Sequence, residues 1–251
     1  MHSPPRLNDS AKEHYKEQGW WIPSRPLFSD EKFSKLKSIF EELLANKPPE
    51  KLGDQLDTPH FFDNRLFEFL LDEQVLDLVE DVLGPNIGLW SSHFISKEPL
   101  VGRRTPWHED SSYWSGRIDR MDKIVTLWLA IDSSDRENGC MRVIPETHNH
   151  GFSDYVSVDR GLNTFPVEII DDQYDESKAV DFVLKPNHCS MHDGRIIHGA
   201  DPNTSPRRRC GYTMRYIGLD SYIFPEENLD HKVWWARGEN VAGNELHYHQ
   251  S

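Results

Sequence analysis

Apolar residues fall into two regimes along the chain. In the first third they recur at helical spacing. Phe33, Leu36, Phe40, Leu43 and Leu44 form one such set, with Ser29 and Asp30 placed to cap it and Pro48-Pro49 to end it. Phe67, Leu70, Leu71, Val75, Leu78, Val79, Val82 and Leu83 form a second, which Gly84-Pro85 stops. From Gly88 onward the segments shorten and become rich in β-branched and aromatic residues: Gly88–Lys97, Lys123–Asp132, Cys140–Pro145, Val180–Leu184, Cys189–His192 and Cys210–Gly218. Glu137-Asn138-Gly139, Lys185-Pro186-Asn187 and Asp201-Pro202-Asn203 read as turns between them. No helix-length pattern alternates with these strands, so a doubly wound parallel sheet is not expected. Helices first and many short strands after predict an antiparallel sandwich or barrel with helices packed outside. The stretch Gly151–Ser177 has little periodicity and carries Glu168, Asp171, Asp172, Asp175 and Glu176. It reads as a long surface loop with a solvated acidic face, of a length often found in lids.

The chain has 251 residues, a size that suits one large domain. Its net charge of −14 argues against nucleic acid or an anionic membrane as the main partner. Three widely spaced cysteines, Cys140, Cys189 and Cys210, make no disulfide framework or zinc ribbon, and with no apolar signal core in Met1–Asn8 a cytoplasmic protein is expected. Thirteen histidines raise the question of a metal site.

Pro106-Trp107-His108-Glu109-Asp110 reads as extended chain, which sets His108 and Asp110 on one face. His198 stands 90 residues after His108, at the end of the short apolar run Ile196-Ile197. Two histidines and one carboxylate on one side of a metal are the facial arrangement of non-haem Fe(II) oxygenases, which leaves positions open for a cosubstrate and dioxygen. Such a site would carry about +1, and a bound 2-oxoglutarate dianion would bring it to about −1 with its far carboxylate buried. A buried carboxylate needs a paired cation, and arginine's planar fork suits it best. Pro206-Arg207-Arg208-Arg209-Cys210-Gly211-Tyr212 offers three, of which at most one should point inward.

In order and spacing, the chain resembles the phytanoyl-CoA hydroxylase-like (PhyH) Fe(II)/2-oxoglutarate dioxygenases. The similarity runs through His14-Tyr15-Lys16-Glu17-Gln18-Gly19-Trp20, taken as an opening before the first helix, then Ser96-Lys97-Glu98-Pro99, Trp107–Asp110, Val125–Asp132, Glu137–His148, and His198-Gly199-Ala200-Asp201-Pro202-Asn203 with Arg209. The resemblance implies a mainly β fold with flanking helices and a double-stranded β-helix (jelly-roll, cupin-like) core. Residues 1–251 would form a single dioxygenase domain, helical over about 1–87, jelly-roll over about 88–220, with a C-terminal tail. It implies His108, Asp110 and His198 as iron ligands and Arg209, 11 residues after His198, as the anchor of 2-oxoglutarate, with Arg208 as second choice. Lys97 and Trp128 match positions lining the cosubstrate pocket, and Thr126 shares a strand face with Trp128.

The implied reaction is oxidation of a C–H bond of a small organic molecule with Fe(II), 2-oxoglutarate and O2, releasing succinate and CO2. Related halogenases replace the metal carboxylate with a small residue; Asp110 is intact, so hydroxylation is preferred. Glu109 stands where relatives often have Gln and should face away from the metal. Ala200 replaces a frequent serine. Ser112, Tyr113, Trp114 and Arg117 are candidate substrate residues because they follow the first ligand pair. His192 is expected to be a buried, hydrogen-bonded histidine and the reserve ligand. His148 and His150 read as loop or substrate-region residues, and His247 and His249 as exposed tail. A cupin-type dioxygenase or isomerase that does not use 2-oxoglutarate, or a non-catalytic metal-binding relative, is the alternative. The substrate, and the oligomeric state, are not written in these residues.

Overall fold

In the computed structural model, which describes residues 6–249, the helices are bounded by local chemistry. Helix α1 (Asp9–Gln18) is capped by Asn8, whose side chain accepts from the Ala11 N–H, and ends at Gly19 in the left-handed region at φ +80°. His14–Gln18 is thus the last turns of the first helix, not a segment preceding it. Strand β1 (Trp20–Trp21) follows. Helix α2 (Asp30–Asn46) starts where Ser29 accepts from the Lys32 N–H, and stops at Lys47, held extended by Pro48. The second amphipathic stretch breaks in two, α3 (Phe67–Leu70) and α4 (Glu73–Leu83), because Asp72 turns its carboxylate onto the Gln74 N–H and restarts the helix. The two-residue strand β2 (Leu56–Asp57) lies between α2 and α3.

The strands follow: β3 (Ile87–Lys97), β4 (Thr105–His108), β5 (Ile124–Ala130), β6 (Met141–Val143), β7 (Tyr155–Ser157), β8 (Val167–Ile169), β9 (Val180–Asp181), β10 (Cys189–Asp193), β11 (His198–Ala200), β12 (Arg209–Gly218) and β13 (Trp234–Arg237). The larger sheet runs β1-β10-β5-β12-β3-β13, with β2 also paired to β3. The smaller runs β4-β11-β6-β9, and β7-β8 is a separate hairpin. Every named pairing is antiparallel. This is the double-stranded β-helix with flanking helices expected from the sequence. The larger sheet also recruits chain from outside 88–220. Trp20–Trp21 pairs with Met191 and His192, and Trp234–Arg237, expected as tail, pairs with Ile87–Leu89. Residues Gly151–Ser177, expected as a loop, contain the β7-β8 hairpin.

Period-2 alternation decides where the site lies. On β12 the apolar Cys210, Tyr212, Met214 and Tyr216 join the core beneath the helices, with Val125, Leu127 and Leu129 of β5 and Met191 of β10. The intervening Arg209, Thr213 and Arg215, with Trp128 and His192, line a cavity that the smaller sheet closes with His108, Met141, His198 and Ala200. Both faces of the larger sheet are covered, but one is oily and the other polar. Gly211 sits on the polar face because a Cβ there would lie 1.9 Å from the Trp128 ring. Substituting Gly211→Ala should therefore force the indole aside and destabilise the protein by about 1–3 kcal/mol, read as a lower urea midpoint.

Candidate metal centre

His108 closes β4, and β11 lies beside it in a register that pairs His198 directly with His108. Their rings lie 4.1 Å apart, centroid to centroid. The strand ends at His108, and Asp110 opens a 3₁₀ turn through Trp114. The side-by-side placement expected of a continuous strand is reached by this turn instead, with His108 Nε2 3.8 Å from Asp110 Oδ1. One donor atom from each of His108, Asp110 and His198 falls within 4.8 Å of the others, and all three residues are buried.

Hydrogen bonds orient all three. His108 Nδ1 lies 2.8 Å from the Pro106 carbonyl and His198 Nδ1 3.0 Å from the Ile196 carbonyl. A carbonyl only accepts, so each Nδ1 carries the proton and each Nε2 keeps a lone pair for a metal. Burial, and the neighbouring His198, push the His108 imidazole down to about 3; burial also lowers His198. Both rings are thus neutral donors. Burial alone would raise the Asp110 carboxyl, but Arg215 and the histidines reverse this and hold it well below the usual range. Asp110 Oδ2 accepts from Arg215 Nε at 3.0 Å and from Thr126 Oγ1 at 3.2 Å. Arg215 Nη2 also reaches Oδ1 at 3.5 Å, and Oδ1 is the oxygen that lies 3.8 Å from His108 Nε2. Two neutral imidazoles and one carboxylate suit a divalent first-row metal.

At the other end of the cavity, Arg209 is 2% exposed and donates through Nε and Nη2 to the Gly139 carbonyl. Gly139 has φ +74°, and a Cβ there would lie 2.3 Å from the Asp201 carbonyl oxygen, so that acceptor depends on glycine. Burial lowers the Arg209 pKa to about 10. Its guanidinium lies 5.5 Å from the Trp128 ring centre, and among the described residues no carboxylate is within ion-pairing distance of it. Arg207 and Arg208 instead pair at the surface with Asp135 and Glu137, and with Glu41 and Asp132.

Several expected positions are corrected. Lys97 faces Arg209 across the β3-β12 register but does not line the cavity; its ammonium donates to the Ala200 and Asp201 carbonyls. Thr126 does share a face with Trp128, yet its hydroxyl is taken by Asp110 rather than left for a cosubstrate. Ser112 bonds the Glu109 carbonyl and the Tyr155 hydroxyl. Trp114 packs on Trp90, and Arg117 is bound by Asn228 over the same indole. Of the four candidate substrate residues, Tyr113 has its ring 6.1 Å from His108 and 5.5 Å from Phe165, and the Trp114 ring lies 5.6 Å from the Arg215 guanidinium. The 3₁₀ turn that opens at Asp110 sends these side chains to separate partners.

His192 lines the cavity with neither ring nitrogen hydrogen-bonded, against the bonded structural role expected of it. His148 is buried on the Lys16 carbonyl, and His249 stacks on Phe67 instead of lying free. Glu109 points away from the histidines and accepts from the Ser153 N–H and hydroxyl. The acids of 151–177 are not all solvated: Glu168 holds Arg104 and the Trp107 N–H, and Glu176 holds Arg142. These bonds clamp the hairpin beside β4 and bring Phe165 to 4.9 Å from His108. Arg215 and Thr213 were legible in the strict alternation of β12, which puts them on the face of Arg209. Phe165 carried no such signal.

A model of the phytanoyl-CoA dioxygenase family matches residues 15–211. A phytanoyl-CoA dioxygenase domain-containing protein 1 homolog of Caenorhabditis elegans is 25% identical over 85% of this chain and 76% of its own length. The peroxisomal phytanoyl-CoA dioxygenase of Bos taurus is 33% identical over 90% of this chain and 75% of its own. Among solved structures, the non-heme monooxygenase ThoJ in its apo form superposes with a TM-score of 0.76 over 96% of this chain and 87% of that one, at 21% identity.

Replacing Arg215 by Leu leaves Asp110 as a buried carboxylate without its cation. In metal-free protein this is expected to cost about 3–5 kcal/mol by urea denaturation. The double variant Asp110→Asn with Arg215→Leu should recover much of that loss; simple additivity of the two single variants would contradict the coupling.

Proposed function

The chain belongs to the phytanoyl-CoA dioxygenase family and is a non-haem iron, 2-oxoglutarate-dependent oxygenase; on that premise we propose that His108, Asp110 and His198 hold the iron and Arg209 anchors the cosubstrate. The observation that carries the reading is the Arg209 guanidinium, buried at the far end of the triad's cavity with only a carbonyl partner among the described residues. A buried cation of this kind fits a carboxylate that arrives with a ligand. A cupin-type enzyme without 2-oxoglutarate would have no use for it.

Each residue then has a definite task. His108 and His198 present Nε2 because their Nδ1 protons are committed to carbonyls. Asp110 presents Oδ1 toward His108, while Thr126 and Arg215 Nε hold Oδ2 and Arg215 Nη2 reaches Oδ1 at 3.5 Å. Trp128 lies against the Arg209 guanidinium and excludes water from the distal carboxylate. Phe165 and Tyr113 wall the side of His108 and turn an aromatic surface to the substrate. Bound iron and 2-oxoglutarate supply the activation of dioxygen, with succinate and CO2 as coproducts. Asp110 occupies the position that halogenases vacate, which favours hydroxylation of a C–H bond of a small organic molecule.

Among the described residues no helix is long and apolar enough to cross a membrane. Cys140, Cys189 and Cys210 are free and buried, which supports a reducing, cytoplasmic setting for this chain.

Anaerobic addition of Fe(II) and 2-oxoglutarate to the native protein is expected to produce the metal-to-ligand charge-transfer band of a chelated 2-oxo acid. In Arg209→Ala the 2-oxoglutarate concentration for half-maximal band should rise about 30-fold or more. An undiminished band in that variant would point to the reading without 2-oxoglutarate. Succinate release measured across a panel of small molecules then reports the substrate.

A further inference from the structure

The least explained group in the cavity is His192. It is 1% exposed, and both of its ring nitrogens are buried without a hydrogen-bond partner. A buried polar group left unbonded is costly, and in a native protein it implies a partner that arrives with a ligand or solvent. Its ring lies 4.8 Å from the His198 ring, centroid to centroid. Yet among the described residues the group able to share one ion comprises His108, Asp110 and His198 and leaves His192 out. His192 therefore stands beside the triad without belonging to it.

Strand register fixes which end of the cavity it serves. His192 of β10 pairs with Thr126 of β5, and Thr126 pairs with Arg215 of β12. These three form one row across the inner face of the larger sheet. Arg209 lies six residues along β12 from Arg215, at the opposite end. Within the row, Thr126 and Arg215 both bind Asp110; on the facing sheet, His198 has its Nδ1 on Ile196. His192 is the residue of this row whose side chain has no hydrogen-bond partner among the described residues. A neutral imidazole offers one N–H, and a carboxylate accepts it as a charge-assisted bond.

We propose that His192 positions the cosubstrate by donating a hydrogen bond to the carboxylate that chelates the metal, at the end of 2-oxoglutarate opposite the one held by Arg209. This rests on the 2-oxoglutarate reading above and assigns the second end of the same ligand. The chain then grips the cosubstrate at two separable points.

The test is anaerobic titration of the Fe(II)-loaded native, His192→Leu, His192→Asn and Arg209→Ala proteins, following the charge-transfer band with 2-oxoglutarate and with pyruvate, which lacks the distal carboxylate. His192→Leu is expected to weaken both 2-oxo acids by the same factor, about 10- to 100-fold, and to shift the band. Arg209→Ala should weaken 2-oxoglutarate alone. His192→Asn, which keeps an N–H donor, should recover part of the loss. The metal-free His192→Leu protein should melt at or above the native temperature, since it replaces an unbonded buried imidazole with an apolar side chain. An unchanged affinity and band in His192→Leu would overturn the inference, as would a loss confined to 2-oxoglutarate. A lower melting temperature in the metal-free variant would mark a structural imidazole and overturn it too. Absence of the band from the native protein would overturn the parent reading along with it, so the two failures are distinguishable.

Discussion

Asp110 is an ionised carboxylate enclosed between two sheets, and the need to compensate its charge organises the centre. Burial pushes its proton affinity up, and only cations and donors at short range reverse this. Arg215 comes from β12, Thr126 from the neighbouring β5, and both bind Oδ2. Arg215 also reaches Oδ1, the oxygen that lies beside His108. The geometry of the triad is therefore set from behind the carboxylate, by strands that contribute no ligand. His198 is placed by the smaller sheet, through its register with His108. Both sheets are needed to assemble three donor atoms.

The same strand also supplies the other pole of the cavity. Arg209 and Arg215 are six residues apart on β12, roughly 20 Å of extended chain, and period-2 geometry turns both to the same face. One cation is neutralised by a carboxylate of the protein; the other is met by a backbone carbonyl. An anion that enters the cavity finds the second unpaired. Lys97 sharpens this contrast. It sits next to Arg209 in the register but spends its ammonium on two carbonyls of the β11 end, so it fixes the wall instead of the ligand.

An inner face this polar conflicts with stability. His192 and Ser190 are buried with unbonded polar atoms, and Arg209 is a buried charge. The outer face of the same sheet offsets these costs. Leu36, Phe40, Phe69 and Val79 of the helical region close over Leu127, Tyr212 and Met214 in one continuous apolar core. Local rules that hold on one side of β5, β10 and β12 are broken on the other, as expected where a site is built into a folding unit.

Residue type and periodicity in the sequence determined the two amphipathic helical regions, the run of short strands and the candidate set His108, Asp110 and His198, and the order and spacing shared with the family implied Arg209 among three neighbouring arginines. Each of these depends on neighbours within a few residues or on a fixed order along the chain. The alternation of β12 also contained Arg215 and Thr213, because a strand's two faces are visible in its own residues. Contacts between distant segments were decided by tertiary structure alone. A turn opened at Asp110 in place of further strand, and Ser112, Trp114 and Arg117 went to separate partners. Glu109 and Glu168 drew a hairpin over β4 and brought Phe165 onto His108 from 57 residues away. His192, expected to be hydrogen-bonded, was left without a partner on either ring nitrogen. Which side chains share a cavity depends on register and on where charge must be compensated, and neither is local to any stretch of sequence.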